Sequence, residues 1–275
     1  MIKIMLDSSS DSQNNHPFDY YVPLTVEIAG KCYKDGIDLR PQRFYKLLTS
    51  SEEFPKTSQP SPDQFVACFE QVKQDGDELI YLALSSGLSG TYQSANIAKE
   101  MVEYDGIYIV DTHTATHMIG TLARYADQLR IDGFSATEIV EKLIAVRDKQ
   151  VILAGLQTLE YLYKGGRLSR TSAAVGTIAN IKPIITVSAE GKVETFAKSI
   201  GVKRAIQTIL KHVQSFEIDE EFGFWLLYSE GEENCDALEA AITAAGINVS
   251  GRMQVGPTIG AHTGPGVYGI TFIKK

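Results

Sequence analysis

The chain has 275 residues, 44% hydrophobic and 22% charged, the usual balance of a globular protein with one large core or two modest ones. Its net charge of −8 argues against a general nucleic-acid binder, which needs a basic face against the phosphates. Cys32, Cys68 and Cys235 are odd in number, far apart and without metal-ligand spacing, so reduced thiols in a cytoplasmic setting are expected.

Residues 1–7 are too short and too soon interrupted for a signal peptide, and no apolar run approaches the ~20 residues needed to span a bilayer. A first strand is expected over residues 2–6, closed by the turn-rich run Asp7-Ser8-Ser9-Ser10-Asp11. Residues 20–28 are strand-like, with Pro23 pointing to an edge. A short helix follows over 43–48. The run from Pro55 to Pro62 holds too much proline for a helix or a central strand, and it ends in a helix start. There Ser61 is the N-cap, Pro62 the first helical residue and Gln64 the partner in a capping box. Phe65, Cys68, Phe69 and Val72 mark that helix's buried face.

The organising stretch runs from Leu79 to Ala95. Six apolar residues, Leu79 to Leu84, read as a buried parallel strand. A small-residue loop, Ser85 to Gly90, then leads into a helix marked by Ala95, Ala98, Met101 and Val102. The first N–H groups of such a helix, with its dipole, favour an anion over the strand's carboxyl end. Ser89, Gly90 and Thr91 add hydroxyls and close backbone approach, so this is the expected seat of a small acidic head group. A strand at 107–110, helices near 115–130 and 135–147, and a strand at 151–156 continue the alternation. Strands alternating with helices imply a mostly parallel sheet, here assigned to an N-terminal α/β domain over 1–154.

A second, mixed α/β domain is expected over 155–275. It holds a short helix at 159–163, the run Lys164-Gly165-Gly166-Arg167-Leu168-Ser169 and a small-residue helix over 173–179. A strand at 182–187 turns at Glu190-Gly191 and returns antiparallel over 193–198. Helices at 202–214 and 234–245 alternate with strands at 224–228 and 269–273.

Several residues invite a chemical reading. Thr57 has no local capping duty and is free to meet a ligand, whereas Ser61 is a cap. Ser89 suggests a hydrolase elbow, which needs glycine two residues to either side. Gly87 fits, but Thr91 stands in the second place, so a hydroxyl donating to a bound anion suits the site better. The run Gly264-Pro265-Gly266-Val267-Tyr268-Gly269 spells a dinucleotide pattern, but no helix can follow it in the six residues that remain. The glycine-dense run from Ile259 to Gly266 implies a backbone that approaches something closely, with His262 projecting from it. Asp111, His113 and His117 lack a third and fourth ligand partner, so no metal is expected. Asp7 and Asp11 lack an accompanying phosphate loop and are read as turn formers. Lys164, Arg167 and Arg170, with Lys198, Lys203 and Arg204, are basic clusters that suit an acidic partner.

Taken together, five runs resemble the DegV family in order along the chain. They are Asp7 to Asp11, Lys56 to Ser61, Ser85 to Ala95, Lys164 to Ser169 and His262 to Gly266. The resemblance implies a bacterial, two-domain fatty-acid-binding protein with no catalysis of its own and no cofactor, its acyl chain buried between the domains. It further implies a carrier role: a separate fatty acid kinase phosphorylates the bound carboxylate, and the acyl-phosphate feeds phospholipid synthesis. Carried over residue by residue, Thr57 and Ser89 look like the carboxylate's hydroxyl partners and His262 like their neighbour, with Ser58, Gly90 and Gly260 beside them. Arg167, with Arg170 and Lys203, looks like the pocket mouth or the kinase-docking face. Ala173, Ala174, Gly176, Ile178 and Ala179 are candidates for the tunnel wall. Burial of ~14 methylenes at ~0.8 kcal/mol each offers roughly 11 kcal/mol before ordering costs, so the tail would dominate affinity and the head would set register. The alternatives from other classes are a Ser89-dependent esterase or thioesterase, and a sensor of another small organic acid.

Overall fold

The computed structural model describes residues 1–11, 18–168 and 180–275. Strand β1 (Ile2–Asp7) leads through a 3₁₀ turn, Ser8–Ser10, towards β2 (Tyr20–Val22). The expected single run over 20–28 breaks at Pro23, which cannot donate to a ladder. Beyond the break, β3 (Thr25–Ile28) pairs antiparallel with β4 (Lys31–Lys34). Helix α1 (Pro41–Ser50) follows, and then β5 (Lys56–Ser58), which pairs with the other side of β3. The proline-rich run thus does contain a strand, three residues long and at the edge of a small sheet ordered β4-β3-β5.

Helix α2 (Pro62–Asp75) begins where the capping box places it, with the Ser61 N–H donating to Gln64 Oε1 at 3.1 Å. Next come β6 (Glu78–Ala83), α3 (Thr91–Val102), β7 (Ile107–Asp111), α4 (His117–Ile131) and α5 (Ala136–Arg147). The first sheet has the order β2-β1-β6-β7 and is parallel throughout. Pro23 follows its edge strand, as expected. Both faces of β6 are buried because the strand's period of two divides its apolar run. Leu79, Tyr81 and Ala83 pack under α2 and α3, while Ile80 and Leu82 pack under α4 and α5.

Strand β8 (Gln150–Gly155) corrects the alternation read from the sequence. Instead of extending the parallel sheet, it pairs antiparallel with β9 (Ile181–Val187) and with β13 (Tyr268–Ile273). A short apolar run reads the same in either sheet, so periodicity could not separate them. The chain crosses between sheets after β7, ahead of the boundary expected at residue 154. Between β8 and β13 lie α6 (Glu160–Lys164), β10 (Val193–Ile200), α7 (Val202–Val213), β11 (Trp225–Tyr228), α8 (Glu233–Ala244), β12 (Gly251–Gln254) and α9 (Pro257–Thr263). The larger sheet runs β10-β9-β8-β13-β11-β12, with β9 and β10 forming the expected hairpin. Val151 and Leu153 of β8 face α7 and α8 in one core, leaving Ile152 and Ala154 for the opposite face. The small-residue helix expected over 173–179, together with Ser169 and Arg170, lies outside the described residues.

The two sheets meet at a seam. The turn of the β9–β10 hairpin rests on the loop after β6, where Ser85 Oγ donates to the Gly191 carbonyl at 2.8 Å.

Candidate functional site: an apolar cavity between the sheets

The faces left over by the two cores enclose a cavity of about 790 Å³, counted through to solvent at its mouth. Leu24, Leu84, Leu88 and Ala115 form its wall on the first-sheet side. Ile152, Ala154, Ile185, Val187 and Leu227 line it from the larger sheet, with Val193 from the hairpin. Ile259 projects from α9. The larger-sheet wall is apolar because its strands have committed their other face to a core, whereas Leu24, Leu84, Leu88 and Ala115 come from loops at the edge of the first sheet.

Polar side chains interrupt that lining: Thr116, Thr258 and Thr263, and a cluster made of Thr57, His262, Arg167 and Ser89. Thr57 is the middle residue of β5, so strand alternation turns it inward while Lys56 and Ser58 are exposed. Its Oγ1 lies 2.7 Å from His262 Nε2, which α9 presents from its last turn. Burial and the nearby Arg167 charge hold the His262 imidazole down at about 4, so it is neutral at pH 7. Its Nδ1 is buried and has no protein partner. The ring fits against Gly165, where any Cβ would collide with Nδ1; this is a physical reason for glycine in the Lys164–Ser169 run.

Arg167 completes the cluster. Its Nε donates to the Leu88 carbonyl at 2.9 Å and its Nη1 to the Gly165 carbonyl at 2.5 Å. Burial lowers its affinity for the proton, but an arginine starts so high that it stays charged. Arg167 is therefore a fixed, partly exposed cation lining the cavity. Ser89, next to Leu88, also lines the cavity, and its Oγ lies 2.8 Å from Thr91 Oγ1. Ser89 Oγ is bonded to Thr91 and His262 to Thr57, so neither contact pairs a base with the serine hydroxyl.

The other expected site residues fall elsewhere. Ser58 is exposed on the outer side of β5. Gly90 is outside the lining, and its missing side chain makes room for Gln59, which donates to Ser94 Oγ at 2.8 Å. Gly260 faces α1, where a Cβ would lie 2.5 Å from Tyr45 Oη and 2.8 Å from the Phe44 ring. Lys203 is exposed on α7, away from the lining residues. Asp111 and His113 pair with each other at 3.5 Å, while His117 turns onto the Trp225 ring at 4.5 Å, so these three do not converge.

Over its whole length, residues 1–275, the chain matches the family model described as "Uncharacterised protein, DegV family". The chain belongs to the DegV family. It is 37% identical over 279 residues to a DegV domain-containing protein of Caldanaerobacter subterraneus, covering 100% of this chain and 99% of that one. Among solved structures it is similar to a DegV family protein from Thermus thermophilus described by its fatty acid binding, with 30% identity and a TM-score of 0.87, covering 100% of this chain and 99% of that one. It is also similar to a fatty acid binding DegV family protein from Streptococcus agalactiae, with 26% identity and a TM-score of 0.88 over 100% of this chain and 99% of that one. These DegV structures share the α/β architecture of a four-stranded parallel sheet joined to a second, mixed sheet.

Proposed function

We propose that this DegV protein binds a long-chain fatty acid, with the carboxylate at the Thr57–Ser89–His262–Arg167 cluster and the tail in the apolar cavity. The observation that carries this reading is the pairing of one fixed guanidinium and three neutral polar side chains with walls made of Leu, Ile, Val and Ala. A neutral imidazole and two hydroxyls can hydrogen-bond a carboxylate, and Arg167 meets its charge without an acid competing among the lining residues. Fatty acid binding by the Thermus and Streptococcus relatives supports the same ligand class.

In this reading the protein is a carrier and not an enzyme. It serves a separate fatty acid kinase, which phosphorylates the presented carboxylate to an acyl-phosphate used for phospholipid synthesis. Lys203 and Arg170 are assigned to the docking face, and Arg167 to the head group. Mass spectrometry of the purified, denatured protein is expected to release a long-chain fatty acid. Failure to recover one, even after incubation with palmitate, rejects the ligand. Adding the loaded protein and ATP to a purified fatty acid kinase is expected to raise ADP production; no rise above kinase alone rejects the carrier role.

A further inference from the structure

Helix α9 has only seven residues, and its N-terminus is fixed by groups remote in sequence. The Thr258 N–H donates to Asp35 Oδ2 at 3.0 Å, and the Thr258 hydroxyl donates to the same oxygen at 2.5 Å. The Gly256 N–H donates to Asp11 Oδ1 at 2.9 Å, and the Val255 carbonyl accepts from Tyr45 Oη at 2.9 Å. Asp35 directly follows β4, and Thr57 belongs to β5 of the same small sheet. The helix is thus clipped to that sheet twice, at its front by Asp35 and one turn later by the Thr57–His262 contact.

We infer that Asp35 is a positioning residue for His262, acting through α9, and that with Asp11 it forms a proton-sensitive clip. This inference rests on the proposed fatty-acid site, but Asp35 and Asp11 themselves lie outside its lining. Asp35 and Asp11 are both buried, and each lies in the other's field. Several other groups face them. The Ser8–Ser10 turn brings Asp7 and Ser8, and Ser8 Oγ lies 3.3 Å from Thr258 Oγ1. Strand β2 brings Tyr21, α1 brings Tyr45 with Arg40 at its N-cap, Thr116 reaches Asp11, and Glu230 acts on Tyr45.

Burial raises both carboxyls, Asp11 well above its usual range and Asp35 to about 7. The sign follows from linkage. When α9 is seated, Asp35 is desolvated and holds its proton up to about pH 7; once released to solvent it would ionise near the ordinary value of 3.8. The seated arrangement therefore binds more protons, and its advantage fades as pH rises from about 4 to about 7. Burial and the neighbouring Asp35 raise Asp11 as well, while Asp35 itself is raised to about 7.

The test compares the protein with Asp35→Asn, which keeps an acceptor for Thr258 but cannot ionise. Palmitate affinity is measured by equilibrium dialysis from pH 6 to pH 8, and the ratio of the two dissociation constants cancels the titration of palmitate itself. Wild-type affinity is expected to fall relative to Asp35→Asn by about three-fold or more across that range. In the ligand-free proteins, the ¹⁵N shifts of His262 are expected to move near pH 7 in the wild type alone, although the ring itself titrates only at about 4. If Asp35→Asn fails to fold, Thr258→Val takes its place: it removes the hydroxyl that donates to the Asp35 carboxylate and should move the His262 inflection to higher pH. Parallel affinity profiles, or His262 shifts flat through pH 7, overturn the inference while leaving fatty-acid binding intact. If neither protein binds palmitate at any pH, the binding proposal fails, and the ligand-free shifts still decide the clip.

Discussion

Two loops leave the carboxyl edge of the same parallel sheet from neighbouring strands, and they have opposite fates. The loop after β1, Asp7 to Ser10, is wholly buried and turned inward. Asp7 accepts from the Ser9 N–H at 2.9 Å, from Tyr81 Oη at 2.7 Å and from the Leu84 N–H at 2.9 Å. The loop after β6 contributes Leu84, Leu88 and Ser89 to the cavity. Ligands of open α/β sheets gather at that edge, but only one of these loops lines the cavity. The other is a fastening, and through Leu84 it fastens the very loop that forms the cavity wall.

The comparison can be broken at either loop. The largest effect is expected for Asp7→Ala, which strips four buried donors, the Ser9 hydroxyl among them, of their acceptor and should cost about 3 kcal/mol or more in urea unfolding. A loss below about 1 kcal/mol would mean that the first loop is not a fastening. Next is the Thr57→Ala/Ser89→Ala pair. It should leave the urea midpoint nearly unchanged while weakening palmitate binding by ten-fold or more, at about 1.5 kcal/mol or more for each lost bond to a charged group. Unchanged fatty acid occupancy in that variant would remove both hydroxyls from the head-group site. Gly165→Ala should push the His262 ring aside and weaken binding by up to about ten-fold, read by the same dialysis.

The smallest expected effect is on the pH dependence of stability. His262 is depressed to about 4 in the folded protein, so its contribution is complete above about 6.5 and is lost as pH falls towards 4. Asp35, raised to about 7, acts in the opposite direction over an overlapping range. Urea midpoints measured from pH 4 to pH 7 should therefore rise more steeply with pH in Asp35→Asn than in the wild type, and less steeply in His262→Gln.

What could be read from the sequence follows the range of the interactions. The strand, loop and helix from Leu79 to Val102 were legible because the apolar run, the small loop residues and the helical spacing are all local signals. The capping box at Ser61 was legible for the same reason. Helix α9 was hidden, since Gly260 and its neighbours have poor helix propensity and its front is held by Asp35, 223 residues away. Strand β5 was hidden by its prolines and its three-residue length, although the hydroxyl of Thr57 could be singled out without it. Arg167 could be found in its run of residues, but its inward turn depends on the carbonyls of Leu88 and Gly165, and no spacing announces them.

The seam at Gly191 sets a tolerance for the whole molecule. A methyl group added at Gly87 would lie 2.7 Å from the Gly191 carbonyl oxygen, backbone against backbone, with no flexible side chain able to give way. Even alanine there would act as a wedge, prising the hairpin off the neighbouring loop and opening a side door to a compartment otherwise entered from its mouth. A position that lends no side chain to the cavity would in that way govern how readily that compartment opens.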